Sequence, residues 1–463
     1  PEDPGDPSGP VARLGYLRVR GADGAARPPL FMIAGGPGSS LITADAAYLF
    51  TAKFLGPLLD ARDIVLLDQR GAGFSEPLLE CREVEAFQWT AVEQELDAEA
   101  ARDLVRQAIP VCARRAAAQG IELATYNVLS IVADIDAARA AFGYDRIGFY
   151  GASYGAQIGQ QVLRERPAIL EAVVLDGANA LSATSWAQDR ARDADEALMH
   201  LDALCEADAK CASAYDILGL VETGMRLFDE GPIIVTVPRP DSPSRSFEVP
   251  LEAKDFASLV FSLQTGQNAV RSLPAFLTEL LADGRASVAA VLGPMLAQSL
   301  AAARDPGPQE TAALAHAAIV CSDDPVTGPE DIVVPEGTSD YGRTHGREVL
   351  RQYQELCADV AVPELPEATD IDATADVPTL VLSGALDART PTFRSEEVAR
   401  GLPRATLAVF PEGTHVQLGE VNACAAEIVV RFLDDPAVAP PLDCIARQPR
   451  RGFILPDGSG SLD

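Results

Sequence analysis

The fold is decided by the stretch Arg146-Ile-Gly-Phe-Tyr-Gly-Ala-Ser-Tyr-Gly-Ala-Gln-Ile-Gly159, because its pattern changes from strand to turn to helix. The apolar residues 147–150 are typical of a buried strand, and an amphipathic helical pattern follows the turn. A serine at such a turn takes sparsely populated backbone angles that expose its hydroxyl. The turn closes only if the residues two before and two after the serine lack side chains, and Gly151 and Gly155 meet that need. The stretch therefore predicts a nucleophile elbow with Ser153 as the nucleophile.

Short apolar runs alternate with helical patterns on both sides of this stretch. Strands are predicted at Leu30 to Ala34, at Ile64 to Asp68 and at Ala172 to Asp176, and the same rhythm returns at 377–383 and 405–410. Strands that alternate with helices predict an α/β fold, with a mainly parallel sheet covered by helices on both faces. Functional residues are then expected at the carboxyl ends of the strands.

The middle of the chain has a different pattern. It is mostly helical, with one predicted hairpin formed by Ile233 to Val237 and Ser246 to Val249. We therefore predict three parts: residues 1–178 and 371–463 form the core, and residues 179–370 form a large, mostly helical cap inserted between them.

The composition excludes several classes of partner. The formal net charge is −31, from 68 acidic and 37 basic residues, and such a field repels phosphate backbones and anionic lipid. Hydrophobic residues make up 48% of the chain, enough for a large core, and no uninterrupted apolar run of about eighteen residues is present. We expect a globular protein that neither binds nucleic acid nor spans a membrane. Its oligomeric state is left open.

Eight cysteines fall into four neighbouring pairs, none with the C-x-x-C spacing of zinc or thioredoxin sites. The pairs are Cys81 and Cys112, Cys205 and Cys211, Cys321 and Cys357, and Cys424 and Cys444. Four disulfides in an oxidising compartment are favoured over metal ligands, although the sequence alone leaves the connectivity open. The first residues contain no hydrophobic signal segment, so we interpret the chain as the mature or trimmed form of a secreted or periplasmic protein.

A serine nucleophile needs an imidazole to take its proton and an acid to orient that imidazole. Four histidines are present, and His415 alone satisfies the order serine, acid, histidine along the chain. The other three lie in the inserted region and are expected to be ordinary polar residues: His200, His316 and His345. For the acid, Asp387 is favoured over Asp176, because the order rule puts the acid on a late loop.

Acyl transfer also needs donors for the negative charge that develops on the carbonyl oxygen. The glycine-rich turn Ala34-Gly-Gly-Pro-Gly38 follows the second predicted strand, and we expect the N–H groups of Gly36 and Tyr154 to form an oxyanion hole. Asp68 and Arg70 follow the next strand. They are interpreted as a pair that braces this region by a charge-assisted hydrogen bond.

These motifs resemble those of the proline iminopeptidase and tripeptidyl aminopeptidase branch of the α/β-hydrolases. The resemblance covers nearly the whole chain and implies an α/β-hydrolase fold, the roles given above for Ser153, Asp387 and His415, and a helical cap that selects the substrate. Two departures concern substrate choice: Ala34 stands where the family often has histidine, and Gly413-Thr-His replaces the usual Gly-His. The motifs that carry the resemblance are Ala34-Gly-Gly-Pro-Gly, Asp68-Gln-Arg-Gly-Ala-Gly-Phe-Ser, Gly151-Ala-Ser-Tyr-Gly, Val320-Cys-Ser-Asp-Asp, Leu382-Ser-Gly-Ala-Leu-Asp and Gly413-Thr-His, with the Cys424 and Cys444 block similar to the C-terminal segment of the tripeptidyl group.

Asp323 and Asp324, beside Cys321, are the acids expected to meet the free amine of a peptide substrate. The sequence thus predicts a serine aminopeptidase that releases short N-terminal peptides or single residues. A carboxylesterase with the same three catalytic residues is the alternative, because an ester substrate needs no amine pocket. No cofactor and no metal is implied.

Overall fold

The computed structural model of the chain describes residues 9–22, 27–183, 185–304, 311–456 and 458–460. Within these residues the chain forms nine strands, numbered in chain order: β1 Tyr16–Val19, β2 Leu30–Ile33, β3 Ile64–Leu67, β4 Ile147–Ala152, β5 Leu170–Asp176, β6 Ile233–Arg239, β7 Ser242–Leu251, β8 Thr379–Gly384 and β9 Ala405–Phe410.

Seven of these strands form one sheet in the order β1-β3-β2-β4-β5-β8-β9. Only the edge strand β1 is antiparallel to its neighbour, and all the other pairings are parallel. The central strand β4 is buried along its whole length, as a strand covered on both faces must be. The predicted α/β fold with a mainly parallel sheet is confirmed.

Helices lie between and beyond these strands. They are α1 Glu83–Glu93, α2 Ala98–Arg106, α3 Ala108–Ala118, α4 Val128–Ala141, α5 Tyr154–Glu165, α6 Arg190–Glu206, α7 Ala209–Ala214, α8 Ile217–Arg226, α9 Ala253–Gln264, α10 Gln267–Leu280, α11 Arg285–Arg304, α12 Ala313–Asp323, α13 Asp340–Asp359, α14 Thr392–Gly401, α15 Ala423–Asp434 and α16 Asp443–Arg447. Apolar side chains of α4, α5 and α14 cover one face of the sheet, and α15 covers the other together with two 3-10 segments.

The segment between β5 and β8 carries α6 to α13 and the hairpin of β6 and β7. The predicted hairpin is confirmed, with Ile233 opposite Leu251. Most of this segment packs around its own apolar core. Helix α12 is different, because it packs with α3 in a separate cluster that includes Cys112 and Ala315. The division into core and cap remains a prediction, and this cluster joins the residues on either side of the proposed boundary.

A buried ion network connects α6 to α14. Arg394 donates two hydrogen bonds to the carboxylate of Asp193, at 2.9 and 2.7 Å. Arg190 donates to the same carboxylate at 3.3 Å and to the carbonyl of Arg389 at 3.0 Å. Because Asp193 is fully buried, loss of either arginine would leave a charge poorly compensated. The network therefore fixes α6 against the loop that contains Arg389.

Helix α11 is the one helix among the described residues that is long and apolar enough to cross a membrane by length and composition. A single helix of this kind is weak evidence for a span. In the structure α11 packs on β6, and a side chain at Gly293 would lie 2.4 Å from the carbonyl oxygen of Thr236. The absence of a membrane span stays a prediction.

All eight cysteines are paired as disulfides, each with its neighbour in the sequence, as expected. One cluster among the described residues has metal-like spacing, formed by Cys81, Glu83 and Cys112, but both of its sulfurs belong to one disulfide. The disulfide between Cys321 and Cys357 connects α12 to α13 across 36 positions of the chain.

Replacing both Cys321 and Cys357 with alanine should lower the free energy of unfolding by about 2–4 kcal/mol, because the unfolded chain regains the freedom of a long loop. The matched control is the double alanine variant of Cys205 and Cys211, whose disulfide closes a loop of only 6 positions. Its free energy of unfolding should fall by about 1–2 kcal/mol less. Denaturant unfolding of both variants measures the difference. Several free thiols in a non-reducing peptide map of the wild type would contradict the pairing.

Candidate active site

Ser153 lies between β4 and α5 with a φ of 56° and a ψ of −121°, a conformation that is costly for a residue with a side chain. Close backbone contacts hold it there. A Cβ atom at Gly151 would lie 1.9 Å from the carbonyl oxygen of Gly155, and one at Gly155 would lie 2.7 Å from that of Ile33. The two glycines are therefore required for the reason the sequence predicted, and Ser153 is only partly covered.

His415 and Asp387 are in direct contact. The Nδ1–H of His415 donates to Oδ2 of Asp387 at 2.8 Å, and the Thr390 hydroxyl donates to the same oxygen at 2.5 Å. The backbone N–H groups of Arg389 and Thr390 donate to Oδ1 at 2.7 and 2.9 Å. Burial favours the protonated acid, but the charge of His415 and these hydrogen bonds outweigh it and lower the pKa of Asp387. The carboxylate is thus ionised at neutral pH and fixed in position.

His415 lies at the same edge of the sheet as Ser153. Gly177 follows β5 with a φ of 72°, and a Cβ atom there would lie 3.4 Å from Cε1 of His415. The preceding residue, Asp176, accepts the backbone N–H of Ser153 at 2.8 Å through its carbonyl. The structure therefore brings His415 into contact with Asp387 and beside the residue that follows β5, whose neighbour Asp176 binds the backbone of Ser153, while the joint action of the three side chains stays a prediction.

The second candidate for the acid, Asp176, contacts the backbone near His415 and not the Nδ1 of its ring. Its carboxylate accepts the N–H groups of Gln417 and Leu418 at 2.8 and 3.0 Å and the hydroxyl of Tyr150 at 2.9 Å. Complete burial raises the pKa of Asp176 to about 6, against the effect of these hydrogen bonds. Its position is that of a support for the histidine loop.

The glycine-rich turn after β2 lies directly over the serine. A Cβ atom at Gly35 would lie 2.6 Å from Cβ of Ser153, so only glycine allows this approach. Gly36 has a φ of 106°, which favours glycine as well. Tyr154 is the first residue of α5, so its N–H has no acceptor within the helix. The predicted oxyanion hole of Gly36 and Tyr154 stays a prediction, and the contacts of the turn are compatible with it.

Gln69 holds this turn, and sequence reasoning did not identify it. Its side-chain amide donates to the carbonyls of Ala34 and Gly35, both at 2.9 Å, and its oxygen accepts the N–H of Gly38 at 3.1 Å. The side chain is almost completely buried. The sequence signal that could have identified Gln69 is its position between Asp68 and Arg70, directly after a buried strand.

The expected pairing of Asp68 with Arg70 is wrong. Asp68 accepts the Ser40 hydroxyl at 2.6 Å and the backbone N–H of Phe74 at 2.8 Å. Arg70 instead forms an ion pair with Asp134 of α4, with both contacts at 2.8 Å. The strand has ended before these residues and Arg70 lies in a turn, so the alternation of an extended segment does not place its side chain beside that of Asp68.

Asp323 and Asp324 lie at the end of α12, against α4 and α5. Asp323 accepts a hydrogen bond from the Tyr154 hydroxyl and another from the N–H of Val128 at 3.3 Å. The cavity beside the two carboxyls has a volume of about 20 Å³, which is room for one water molecule. Burial raises the pKa of Asp323 to about 7, and burial with the nearby charge of Asp323 raises that of Asp324 well above its usual range. These contacts do not support direct binding of a substrate amine.

An aromatic cluster adjoins Tyr154. The Trp186 ring lies 6.2 Å from that of Tyr154 and 5.7 Å from that of Tyr353. His316 contacts the Pro37 carbonyl and the Tyr353 hydroxyl, each at 3.1 Å. The remaining histidines are elsewhere: His200 is exposed, and His345 is buried and stacked on Phe261 at 4.0 Å.

Known proteins match most of the chain. Residues 28–420 match the α/β hydrolase fold family. Serine protease Hip1 of Mycobacterium bovis and of Mycobacterium tuberculosis is 28% identical over 455 residues, which is 94% of this chain and 83% of the relative.

Solved structures are more distant. Proline iminopeptidase of Mycobacterium smegmatis is 14% identical with a TM-score of 0.38, and the alignment covers 92% of this chain and 95% of that one. The esterase EaEST of Exiguobacterium antarcticum is 12% identical with the same TM-score, and the alignment covers 92% and 96%. Likenesses this remote carry no argument about the reaction.

The family match spans far more than half of the chain, and the similarity to a serine protease extends over nearly all of it. The chain belongs to the α/β-hydrolase family and is a hydrolase with a fold of the serine hydrolase type.

Proposed function

We propose that the protein is a serine peptidase that works through an acyl-enzyme, with Ser153 as nucleophile, His415 as base and Asp387 as acid. The hydrogen bond from His415 to Asp387, beside a serine held at a positive φ, is the observation that carries this proposal. It satisfies the geometric requirement that the acid orient the imidazole and stabilise its charged form.

In the first half of the reaction, Oγ of Ser153 attacks the substrate carbonyl carbon while Nε2 of His415 takes the hydroxyl proton. Negative charge develops on the carbonyl oxygen, and the N–H groups of Gly36 and Tyr154 donate to it. The protonated His415 then gives its proton to the leaving amine, the carbon–nitrogen bond breaks, and an ester to Ser153 remains. In the second half, water attacks the ester carbonyl carbon while His415 takes one of its protons, the bond from that carbon to Oγ of Ser153 breaks, and His415 returns the proton to Oγ as the carboxylic acid product leaves.

We further propose that the substrate is a peptide with a free amino terminus, from which a short peptide or single residue is released. The resemblance to proline iminopeptidases and tripeptidyl aminopeptidases and the 28% identity to a serine protease support this choice. Four disulfides support an oxidising compartment, and we infer that the protein is secreted or periplasmic. The cap of residues 179–370 would select the substrate.

A carboxylesterase remains the second candidate, and one observation favours it. The Asp323 carboxylate, which was expected to meet the substrate amine, is occupied by Tyr154 and Val128. We propose that Asp323 instead fixes Tyr154, whose N–H belongs to the oxyanion hole.

Ser153→Ala should abolish both hydrolysis and covalent labelling by a fluorophosphonate, because the Ser153 hydroxyl is the proposed nucleophile. Circular dichroism and thermal unfolding provide the control for an intact fold. Persistent labelling of the variant would exclude Ser153 as the nucleophile.

Asp387→Asn should lower kcat by about four orders of magnitude, because the amide stabilises the wrong tautomer of His415. The matched control, Asp176→Asn, removes a buried carboxylate that contacts the loop backbone near His415 and the Tyr150 hydroxyl but not Nδ1 of His415, and its effect on kcat should be much smaller. Steady-state kinetics of both variants tests the assignment, and the opposite ranking would transfer the role of the acid to Asp176.

Acetylating the amino terminus of a good peptide substrate should lower kcat/KM by about two orders of magnitude or more, because it removes the positive charge by which an aminopeptidase recognises its substrate. Asp323→Asn should lower kcat for free and acetylated peptides by the same factor, since we assign it to Tyr154. Equal turnover of both peptides, or turnover of simple esters alone, would favour the esterase.

A further inference from the structure

The loop that carries His415 is strained. Val416 has a φ of 65°, a region in which a β-branched residue is rare. Such a conformation persists only where surrounding contacts impose it, because it is energetically unfavourable for a residue with a side chain. The loop must therefore be held by interactions from outside its own backbone.

One carboxylate holds the start of this loop. Glu420 Oε1 accepts the backbone N–H of Thr414 at 2.7 Å and also the Thr414 hydroxyl. Thr414 immediately precedes His415 and is almost fully buried. Both hydrogen-bond donors of the residue before the histidine are thus bound by a single side chain.

A second carboxylate holds the end of the loop. Asp176 accepts the N–H groups of Gln417 and Leu418, as described above. The strained Val416 therefore lies between two anchored segments, one bound to Glu420 and the other to Asp176. Asp176 also leads from β5 into Gly177, over which the His415 ring lies.

We propose that Glu420 is a positioning residue for His415, acting through Thr414, and that its ionised form is the one that holds the loop in its active conformation. This proposal rests on the proposed function of His415 as the base. Ionised carboxylates accept stronger hydrogen bonds than neutral ones, so protonation of Glu420 weakens both contacts to Thr414.

Glu420 also connects the histidine loop to the inserted segment. Its second oxygen accepts the side-chain amide of Gln267, the first residue of α10, at 3.2 Å. No comparable contact from the inserted segment is needed to hold Asp387, whose oxygens are satisfied by its own loop and by His415. A shift of α10 would therefore reach His415 through Glu420.

The charges around Glu420 make it titratable near neutral pH. Burial raises its pKa to about 7, the carboxylates of Asp176 and Asp387 act in the same direction, and Arg451 opposes them. The neighbouring pair of Arg271 and Glu412, at 2.8 Å, largely neutralises itself. Other groups facing Asp176 are the hydroxyls of Tyr150 and Tyr48 and the ring of His415.

Stability and activity respond to this titration in opposite directions. A carboxyl group whose pKa is raised by folding favours the fold at low pH, and this contribution is lost as the pH rises through about 7. The proposed positioning role needs the ionised form, which is present above about 7. A loss of activity on acidification is therefore expected without a loss of stability from this group.

The test compares Glu420→Gln and Glu420→Ala with the wild type. At pH 8, we expect kcat to fall about tenfold in the glutamine variant, which keeps an acceptor, and about a hundredfold in the alanine variant, with KM nearly unchanged. Fluorophosphonate labelling of Ser153 should slow by similar factors. The control is Glu427→Gln, which removes an exposed carboxylate of α15 that is paired only with Arg431 and should have no effect.

The pH profile provides the readout that a merely structural role would not change. The acid limb of log kcat against pH should be less steep in Glu420→Gln than in the wild type, because the glutamine cannot take up the proton that Glu420 takes up on acidification. The melting temperature of Glu420→Gln at pH 8 should be no lower than that of the wild type.

An unchanged kcat in Glu420→Ala, or an equally steep acid limb in Glu420→Gln, would overturn the proposal. If Glu420→Ala unfolds, the glutamine variant alone decides the question through its pH profile. Failure of the proposed function is recognised separately, because Ser153→Ala would then still be labelled.

Discussion

Backbone packed directly against backbone at the end of β4 is the constraint on which the rest of the structure depends. Gly151 and Gly155 allow the chain to turn so tightly that any side chain at either position would overlap a carbonyl oxygen. This contact holds Ser153 at a positive φ and also brings the turn of Gly35 onto its Cβ atom. The strain at Ser153 is thus balanced by the burial of β4 and α5 within the sheet.

The candidate site is built around this turn from side chains that hold backbone rather than substrate. Gln69 fixes the glycine-rich turn, Asp176 and Glu420 hold the histidine loop, and Asp323 holds Tyr154. Each of these side chains binds at least one polar group of the backbone, or the hydroxyl of Tyr154, and so restricts its movement. Preorganised groups of this kind need no rearrangement when charge develops during the reaction.

The inserted segment is coupled to the site at several places, two of which flank the candidate acid and the candidate base. Arg190 and Asp193 bind the loop beyond Asp387 and the helix that follows it, and Gln267 binds Glu420 behind His415. Buried charges make the first contact rigid, because breaking one partner leaves the other uncompensated. The second contact joins a neutral amide to a carboxylate, and the buried ion pair of Arg271 in α10 with Glu412 lies beside it. The segment is therefore held on both the acid side and the histidine side.

The sequence by itself determined the alternating strands and helices, the elbow at Ser153 and the order of the three candidate catalytic residues. Each of these follows from local periodicity, from the steric needs of a turn or from the spacing of a motif. Only the tertiary structure decided where the polar side chains point. Asp68 and Arg70 have separate partners, Asp323 contacts Tyr154, and Glu420 reaches Thr414, because such contacts depend on how each loop folds and on which segments packing brings together.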